Sequence, residues 1–421
     1  MQLTPQGRRS LWIAAAIFIT SCFIAIDTYN TLNHRTFPGL MLQGNPFTLA
    51  KDTFLEAYGK RWALDWPYPP LTLLVLYPAW LAYYLTGSEI VYQFMYKLPI
   101  FAAALVCQLA ILRLTSGRQN TLSFRRLADH FMLIPIIVLS YVGGGAFDVL
   151  TAMFVICAYY LFTKERYLLA IFLIGCAGAL RFYPLALIPI FGIHLYKNGI
   201  RRPGYLALFG LVSLAPLILS FLPFLIDDPQ SLISVLLKGN QSYGQTSSLS
   251  VAGPVLVRVM RIFGYQFNYN VYAYALTVAT LIGVLVVYMA AMARPSTLLS
   301  NCLLLLIVVF LFYPKVQCVY LISFLPLAVV QENRFASWAW APGFLWAMTV
   351  NGAFGATGPF YLLAPTTGFW YTPFSPQVMK GITILAVVAQ IILLVAALVE
   401  LRRRPLRQPT LIAPDPSASN S

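Results

Sequence analysis

Charge is what this sequence has least of. Only 10% of its 421 residues are Asp, Glu, Lys or Arg, against 59% hydrophobic and 15% aromatic. That is too little polar surface to cover a water-soluble globule. The alternation a porin-like barrel needs is missing too, so apolar segments rich in Leu, Ile, Ala and Phe read as helices. The six cysteines, Cys22, Cys107, Cys157, Cys176, Cys302 and Cys318, form no CxxC pair and have no companion histidines. They are expected to be buried thiols, with no disulfide and no metal site. No GxxxxGK[ST], GxSxG or HExxH occurs, so phosphate-loop ATPase, serine hydrolase and zincin chemistries have no footing. Nor is there an internal repeat of the kind that builds inverted-repeat transporters.

What is present is a succession of apolar runs of about 17 to 25 residues, the length that crosses the hydrocarbon of a bilayer. Leu11 to Ile26 follows "QGRR" without a small-residue cleavage site after it, and reads as a retained first helix. The net charge of +15 comes from basic clusters between runs: "QGRR", 113–126, 164–166, 197–202, 293–296, 332–334 and "LRRRPLR". The positive-inside rule puts these on the cytoplasmic side and explains the charge better than nucleic-acid binding does. Both termini then face the cytoplasm, with about twelve crossings near 11–28, 92–114, 131–146, 147–163, 167–183, 184–196, 204–226, 270–293, 298–314, 316–331, 335–350 and 378–401. A further run, Pro67 to Leu85, would reverse the loop at 113–126 if it crossed, so it is expected to be re-entrant or peripheral. The segments at 131–146 and 184–196 are short for a full span. The expected organisation is one transmembrane domain, 1–404, with a long first outer loop at 28–91 and a disordered cytoplasmic tail at 405–421.

On this threading Asp27, Asp52, Glu56, Asp65, Glu89, Asp148, Asp227 and Asp228 fall outside, so chemistry is expected on that face. Asp27 ends the first helix at the hydrocarbon boundary, where an acid is costly without a partner or a task. It is either a hydrated helix end or a general base raised in basicity by partial desolvation. Arg181 in "ALRFYPLAL" and Lys315 in "LFYPKVQCVYL" stand beside Tyr-Pro pairs in apolar surroundings. Each either snorkels or holds an anionic headgroup. Asp148, after "GGGAF", suits a helix cap. The loop "KGNQSYGQTSSLS" at 238–250 and the pair His34 and Arg35 are solvated or contact a sugar.

The first helix ending in Asp27, then "LMLQGNPFTL" (Leu40 to Leu49) and "WPYPPLTLLVLYP" (Trp66 to Pro78), resembles the opening of the polyprenol-phosphate-sugar-dependent membrane glycosyltransferases of the C-type fold. The pattern is closest to glycosyltransferase family 87, the bacterial mannosyltransferases. "GALRFYPLALIPIF" (Gly178 to Phe191) is similar to that family's basic-residue-then-proline segment. "FYPKVQCVYLISFLPL" (Phe312 to Leu327) resembles a segment of the eukaryotic mannosyltransferase of the glycosylphosphatidylinositol anchor. Tyr29 stands where that last enzyme has the second acid of an Asp-x-Asp, which argues against its particular activity. "GGGAFD" stands where family 87 members often carry a Gly-Gln element.

The resemblance implies an all-α polytopic enzyme of the prokaryotic plasma (inner) membrane, with its active site on the outer face. It would move a hexose, expected to be mannose, from a polyprenyl-phosphate donor to a lipid-linked or glycan acceptor with inversion. A lipid phosphate is already a good leaving group, so one base and cations at the phosphate suffice; ordinary glycosides need a second carboxyl. Asp27 is the expected base, and Arg181 and Lys315 the expected phosphate ligands. His34, Arg35, Tyr68, Asp148, Tyr183, Tyr243, Gln245 and Gln317 are weaker candidates for sugar or acceptor contacts. No cofactor or metal is expected beyond the lipid-linked donor. The competing class is a transporter or flippase of a lipid-linked or anionic substrate. It accounts for the helices and intramembrane cations but not for the long, proline-stiffened first outer loop.

Overall fold

The computed structural model describes residues 4–23, 71–116, 122–143, 147–227, 229–230, 264, 269–294, 296–313, 318–345 and 376–403. Helices and turns account for all regular structure there, and no strand occurs among the described residues. Helix α1 is Pro5–Phe23. It starts earlier than the apolar run suggests, because the Thr4 hydroxyl accepts a hydrogen bond from the Gly7 amide at 3.0 Å and Pro5 has no amide to satisfy. "QGRR" is therefore its first turn rather than its flank.

Two further helices, α2 (Leu71–Thr86) and α3 (Glu89–Thr115), form a hairpin. Gly87 turns the chain at φ +62, a region open to glycine, and the Ser88 hydroxyl caps α3 by accepting from the Val91 amide. Tyr83 packs edge-on against Tyr92 at 5.9 Å, which fixes the register and brings Leu71 level with Ala104. At about 1.5 Å per residue, α2 reaches only halfway along α3. The described part of the segment expected to be re-entrant or peripheral, from Leu71 on, thus lies against the first half of a longer helix. Antiparallel to α3 runs α1, with Phe18 stacked on Phe101 at 4.6 Å.

The chain continues through α4 (Leu122–Asp129), α5 (Pro135–Gly143), α6 (Asp148–Thr163), α7 (Tyr167–Leu180), α8 (Leu187–Lys197), α9 (Pro203–Asp227), α10 (Tyr269–Ala293), α11 (Leu298–Phe312), α12 (Leu325–Val330), α13 (Arg334–Trp338) and α14 (Pro376–Arg403). Prolines open α5, α9 and α14, where a missing amide is harmless. The centre is α11, buried at nearly every position from Leu298 to Leu311, as a helix apolar on all sides must be. In contrast α9, α10 and α14 turn Leu219, Leu285 and Leu385 outward. Apolar faces of that size belong against lipid.

Four described helices are long and apolar enough to cross a membrane: Glu89–Thr115, Pro203–Asp227, Tyr274–Ala293 and Ile384–Arg403. The chain is a helical membrane protein. The expected twelve crossings are not matched by twelve such helices among the described residues. The expected spans at 316–331 and 335–350 are interrupted, since a 3₁₀ turn at Cys318–Phe324 leads into the short α12 and α13. Between them Glu332 takes φ +55, and the Asn333 amide reaches back to the Ala328 carbonyl. That closure ends a helix. Glu165 and Gly199 close α6 and α8 in the same way.

Hydrogen bonds gather these basic turns at one end of the bundle. Lys197 donates to the Ala291 carbonyl in the last turn of α10 at 2.5 Å and to that of Arg294, just past its end, at 2.8 Å. Asn301 bonds His194, and Gln331 donates to Ser300. The Arg334 amide donates to Glu400 of α14.

Small residues let α7 meet α9. A Cβ on Gly175 would stand 2.2 Å from the Ser213 carbonyl oxygen, a backbone atom that cannot yield cheaply. Gly175→Ala is expected to destabilise the protein by about 1–3 kcal/mol. Gly381→Ala, on α14 with nothing within 4 Å, should stay within about 1 kcal/mol of the parent. Thermal unfolding in detergent distinguishes the two, and equal melting of both variants would refute a tight α7–α9 contact.

Candidate functional site

The site begins with a broken helix. Pro184 has no amide to donate to the Leu180 carbonyl four residues back, and its ring would clash with that carbonyl in a continuous helix. The chain accordingly leaves α7 at Arg181, which is extended at φ −147 and ψ 134. It makes a 3₁₀ turn over Tyr183–Ala186 and resumes as α8. Gly178 permits the fold-back, since a Cβ there would lie 2.2 Å from Leu185 Cδ2.

The break turns Arg181 and Tyr183 toward the first turn of α6. Arg181 Nη2 donates to Asp148 Oδ2 at 3.0 Å, with Asp148 fully buried and Arg181 5% exposed. Tyr183 donates to Asp148 Oδ1 at 3.2 Å. Having given its proton, the phenol oxygen accepts from the Ser323 hydroxyl, which it also contacts. The Arg181 guanidinium lies over the Tyr320 ring at 4.8 Å, a cation–π contact strengthened by the dry setting. Tyr320 and Ser323 are three residues apart on a 3₁₀ turn, so both face the cluster.

Asp148 is thus the first helical residue of α6, not its cap, a position held by Phe147. Its negative charge suits the helix N-terminus, and its two oxygens are bonded to Arg181 and Tyr183. A second helix break converges here. Tyr183 packs on Phe310 of α11 at 5.2 Å and on Tyr320 of the 3₁₀ turn at 318–324 at 5.6 Å. Aromatic contacts run outward from the cluster, Phe147 to Tyr96 at 6.4 Å, Tyr96 to Tyr92 at 5.7 Å, then to Tyr83 of α2.

Of the residues singled out in the sequence, Arg181, Asp148 and Tyr183 are brought together. Asp27, His34, Arg35, Tyr68, Tyr243, Gln245, Lys315 and Gln317 lie outside the described residues. The sequence reading missed two participants, Tyr320 and Ser323, and a buried lysine elsewhere in the bundle. Tyr320 and Ser323 sit unremarked inside an apolar stretch. Lys97 of α3 is fully buried and donates to the Ser21 carbonyl in the last turn of α1 at 3.0 Å. Its signal was available, since it is the lone charge between Tyr92 and Leu112, and an ionisable residue at that depth invites a functional reading.

Residues 44–197 match the MptA_B family, described as alpha-(1->6)-mannopyranosyltransferase, N-terminal domain. This span, about a third of the chain, is similar to the N-terminal domain of that mannosyltransferase family. It supports glycosyltransferase activity for the chain and does not favour a transporter. Lys97, Asp148, Arg181 and Tyr183 fall inside the matched span, whereas Asp27, Lys315, Tyr320 and Ser323 lie outside it. No curated protein matches the chain.

Within the matched span the ion pair has a measurable consequence. Removing one partner strands a buried charge, at a cost of about 3–5 kcal/mol. Asp148→Ala and Arg181→Ala are each expected to destabilise by that order. The double variant should lose at least about 1 kcal/mol less than the two singles combined. Denaturant unfolding of the four proteins supplies the cycle, and simple additivity would deny the coupling.

Proposed function

We propose that the protein transfers mannose from a polyprenyl-phosphate donor to a lipid-linked or glycan acceptor on the outer face of a prokaryotic plasma membrane. The observation that carries this reading is the family match over residues 44–197, a span that contains Arg181, the Asp148 carboxylate it bonds and the Tyr183 hydroxyl on that same carboxylate.

In the proposed reaction Asp27 takes the proton of the acceptor hydroxyl as that oxygen attacks the anomeric carbon from the face opposite the phosphate. The bond from the anomeric carbon to the phosphate oxygen breaks, and its electron pair leaves with the lipid phosphate. Inversion follows from this single displacement. Arg181 and Lys315 meet the charge gathering on the leaving phosphate. Arg181 already gives one donor to Asp148, and a guanidinium has five in a planar fork, enough to hold a carboxylate and a phosphate together. The lipid-linked sugar is itself the donor, so no nucleotide or other cofactor enters the proposal. The weaker candidates Tyr68, Tyr243, Gln245, Gln317, His34 and Arg35 are proposed as sugar or acceptor contacts.

Asp27→Asn keeps size and polarity but cannot accept the proton, and is expected to lower transfer by roughly 10²–10⁴-fold. Membranes carrying the folded variant would be assayed with labelled polyprenyl-phosphate mannose. Unchanged turnover would remove Asp27 as the base. Arg181→Lys should also lose activity, because an ammonium cannot replace the fork, and retention of full activity would remove Arg181 from the phosphate.

A further inference from the structure

At the end of the bundle where the basic turns collect, α8, α9 and α10 leave an open groove of about 390 Å³. Its walls are Ile188, Gly192 and Tyr196 of α8, Phe209 and Gly210 of α9, and Met292 of α10. Two glycines make the room. A Cβ on Gly192 would stand 4.0 Å from Phe209 Cε1, and one on Gly210 would meet nothing within 4 Å. Apart from the Tyr196 hydroxyl, the side chains lining it carry no polar group.

The mouth is cationic. Arg201 is exposed and lies over the ring of Tyr196, 4.9 Å from its centroid. Arg202 is exposed, and its carbonyl accepts from the amide of Leu206, another wall residue, at 3.1 Å. Exposed Arg294 follows Met292 by two residues. None of these arginines has a carboxylate partner among the described residues. Lys197 Nζ is engaged with the α10 carbonyls, where it ties two walls of the groove together.

We propose that this groove is a binding site for one anionic phospholipid, its acyl chain in the apolar channel and its phosphate on Arg201, Arg202 and Arg294. Charge complementarity chooses the headgroup, because basic pockets between membrane helices select anionic lipids. Size chooses the chain, since about 390 Å³ holds no more than roughly one turn of a helix about 10–12 Å across. A flexible chain fits along such a channel, and a docked partner helix does not. This site is separate from the sugar-transfer reading and stands or falls without it.

The test is native mass spectrometry of the full-length protein in detergent, titrated with phosphatidylglycerol and, separately, with phosphatidylcholine. The parent should retain one phosphatidylglycerol at least about tenfold more tightly than phosphatidylcholine. Arg201→Gln with Arg202→Gln should remove most of that preference while a lipid is still held, at roughly the effect expected for two surface charges. Gly210→Phe, which fills the groove, should lose both lipids. Thermal unfolding checks that each variant is folded, and Gly192→Leu serves if Gly210→Phe is not. Equal retention of the two lipids by the parent, or a preference that survives the double arginine change, overturns the proposal. So does displacement by millimolar inorganic phosphate, or a co-retained peptide in place of lipid.

Discussion

An arginine inside an apolar bundle must have an anion held at a fixed distance, and the Asp148–Arg181 pair imposes that condition on everything around it. Each ion costs several kcal/mol to remove from water, and the attraction between them offsets this only with good geometry and further hydrogen bonds. Here the further bonds come from elsewhere in the chain. Tyr183 and, behind it, Ser323 complete the carboxylate, and Tyr320 covers the guanidinium. Four segments therefore have to agree: the start of α6, the end of α7, the 3₁₀ turn after it, and the 3₁₀ turn at 318–324. A slip of one residue in any of them would leave a polar atom unpaired, at a cost of about 1–3 kcal/mol.

The elements that satisfy this condition are the ones least like ordinary membrane helices. An unbroken α7 would carry Arg181 round with the helical turn and hold Tyr183 in the same ladder. Pro184 prevents it, leaving Arg181 extended and returning Tyr183 toward α6. The stretch after α11 repeats the motif as Tyr313-Pro314, and its described continuation presents Tyr320 and Ser323 to the same place. Irregular backbone at membrane depth is tolerated where protein buries it or where it lines a cavity. In this chain it is buried against a helix N-terminus whose first residue is the acid.

Helical class, the membrane setting and the short helices around the site were legible in the sequence, because they follow from apolar run length and from proline position. Arg181 was legible as a charge with no reason to be where it is. Its partner was not. Asp148 and Arg181 are 33 residues apart, and their pairing depends on the register of α6 against α7, set by buried apolar contacts that look alike in one dimension. Ser323 was invisible for a different reason, since a hydroxyl in an apolar run is compatible with bonding its own helix backbone. The start of α1 was misplaced because Arg8 and Arg9 read as a flank, although Thr4 and Pro5 had already begun the helix. Lys97 was overlooked among aromatic neighbours that drew the run toward an ordinary span.

The two ends of α8 put one residue type to opposite uses. Ahead of it, Arg181 lies over Tyr320, buried and neutralised by Asp148. Beyond its other end Arg201 lies over Tyr196, exposed and with no carboxylate partner among the described residues. The difference fixes what each can offer a phosphate. An exposed arginine contributes attraction at a distance, about 1 kcal/mol near an anionic surface and weakened by salt. The buried pair carries almost no net charge, so it attracts nothing from afar and presents donors only in a fixed direction. In the proposed reaction, long-range attraction for the donor phosphate must then come from Lys315, while Arg181 contributes orientation. Loss of the first should show as weaker donor binding, and loss of the second as slower transfer from donor already bound.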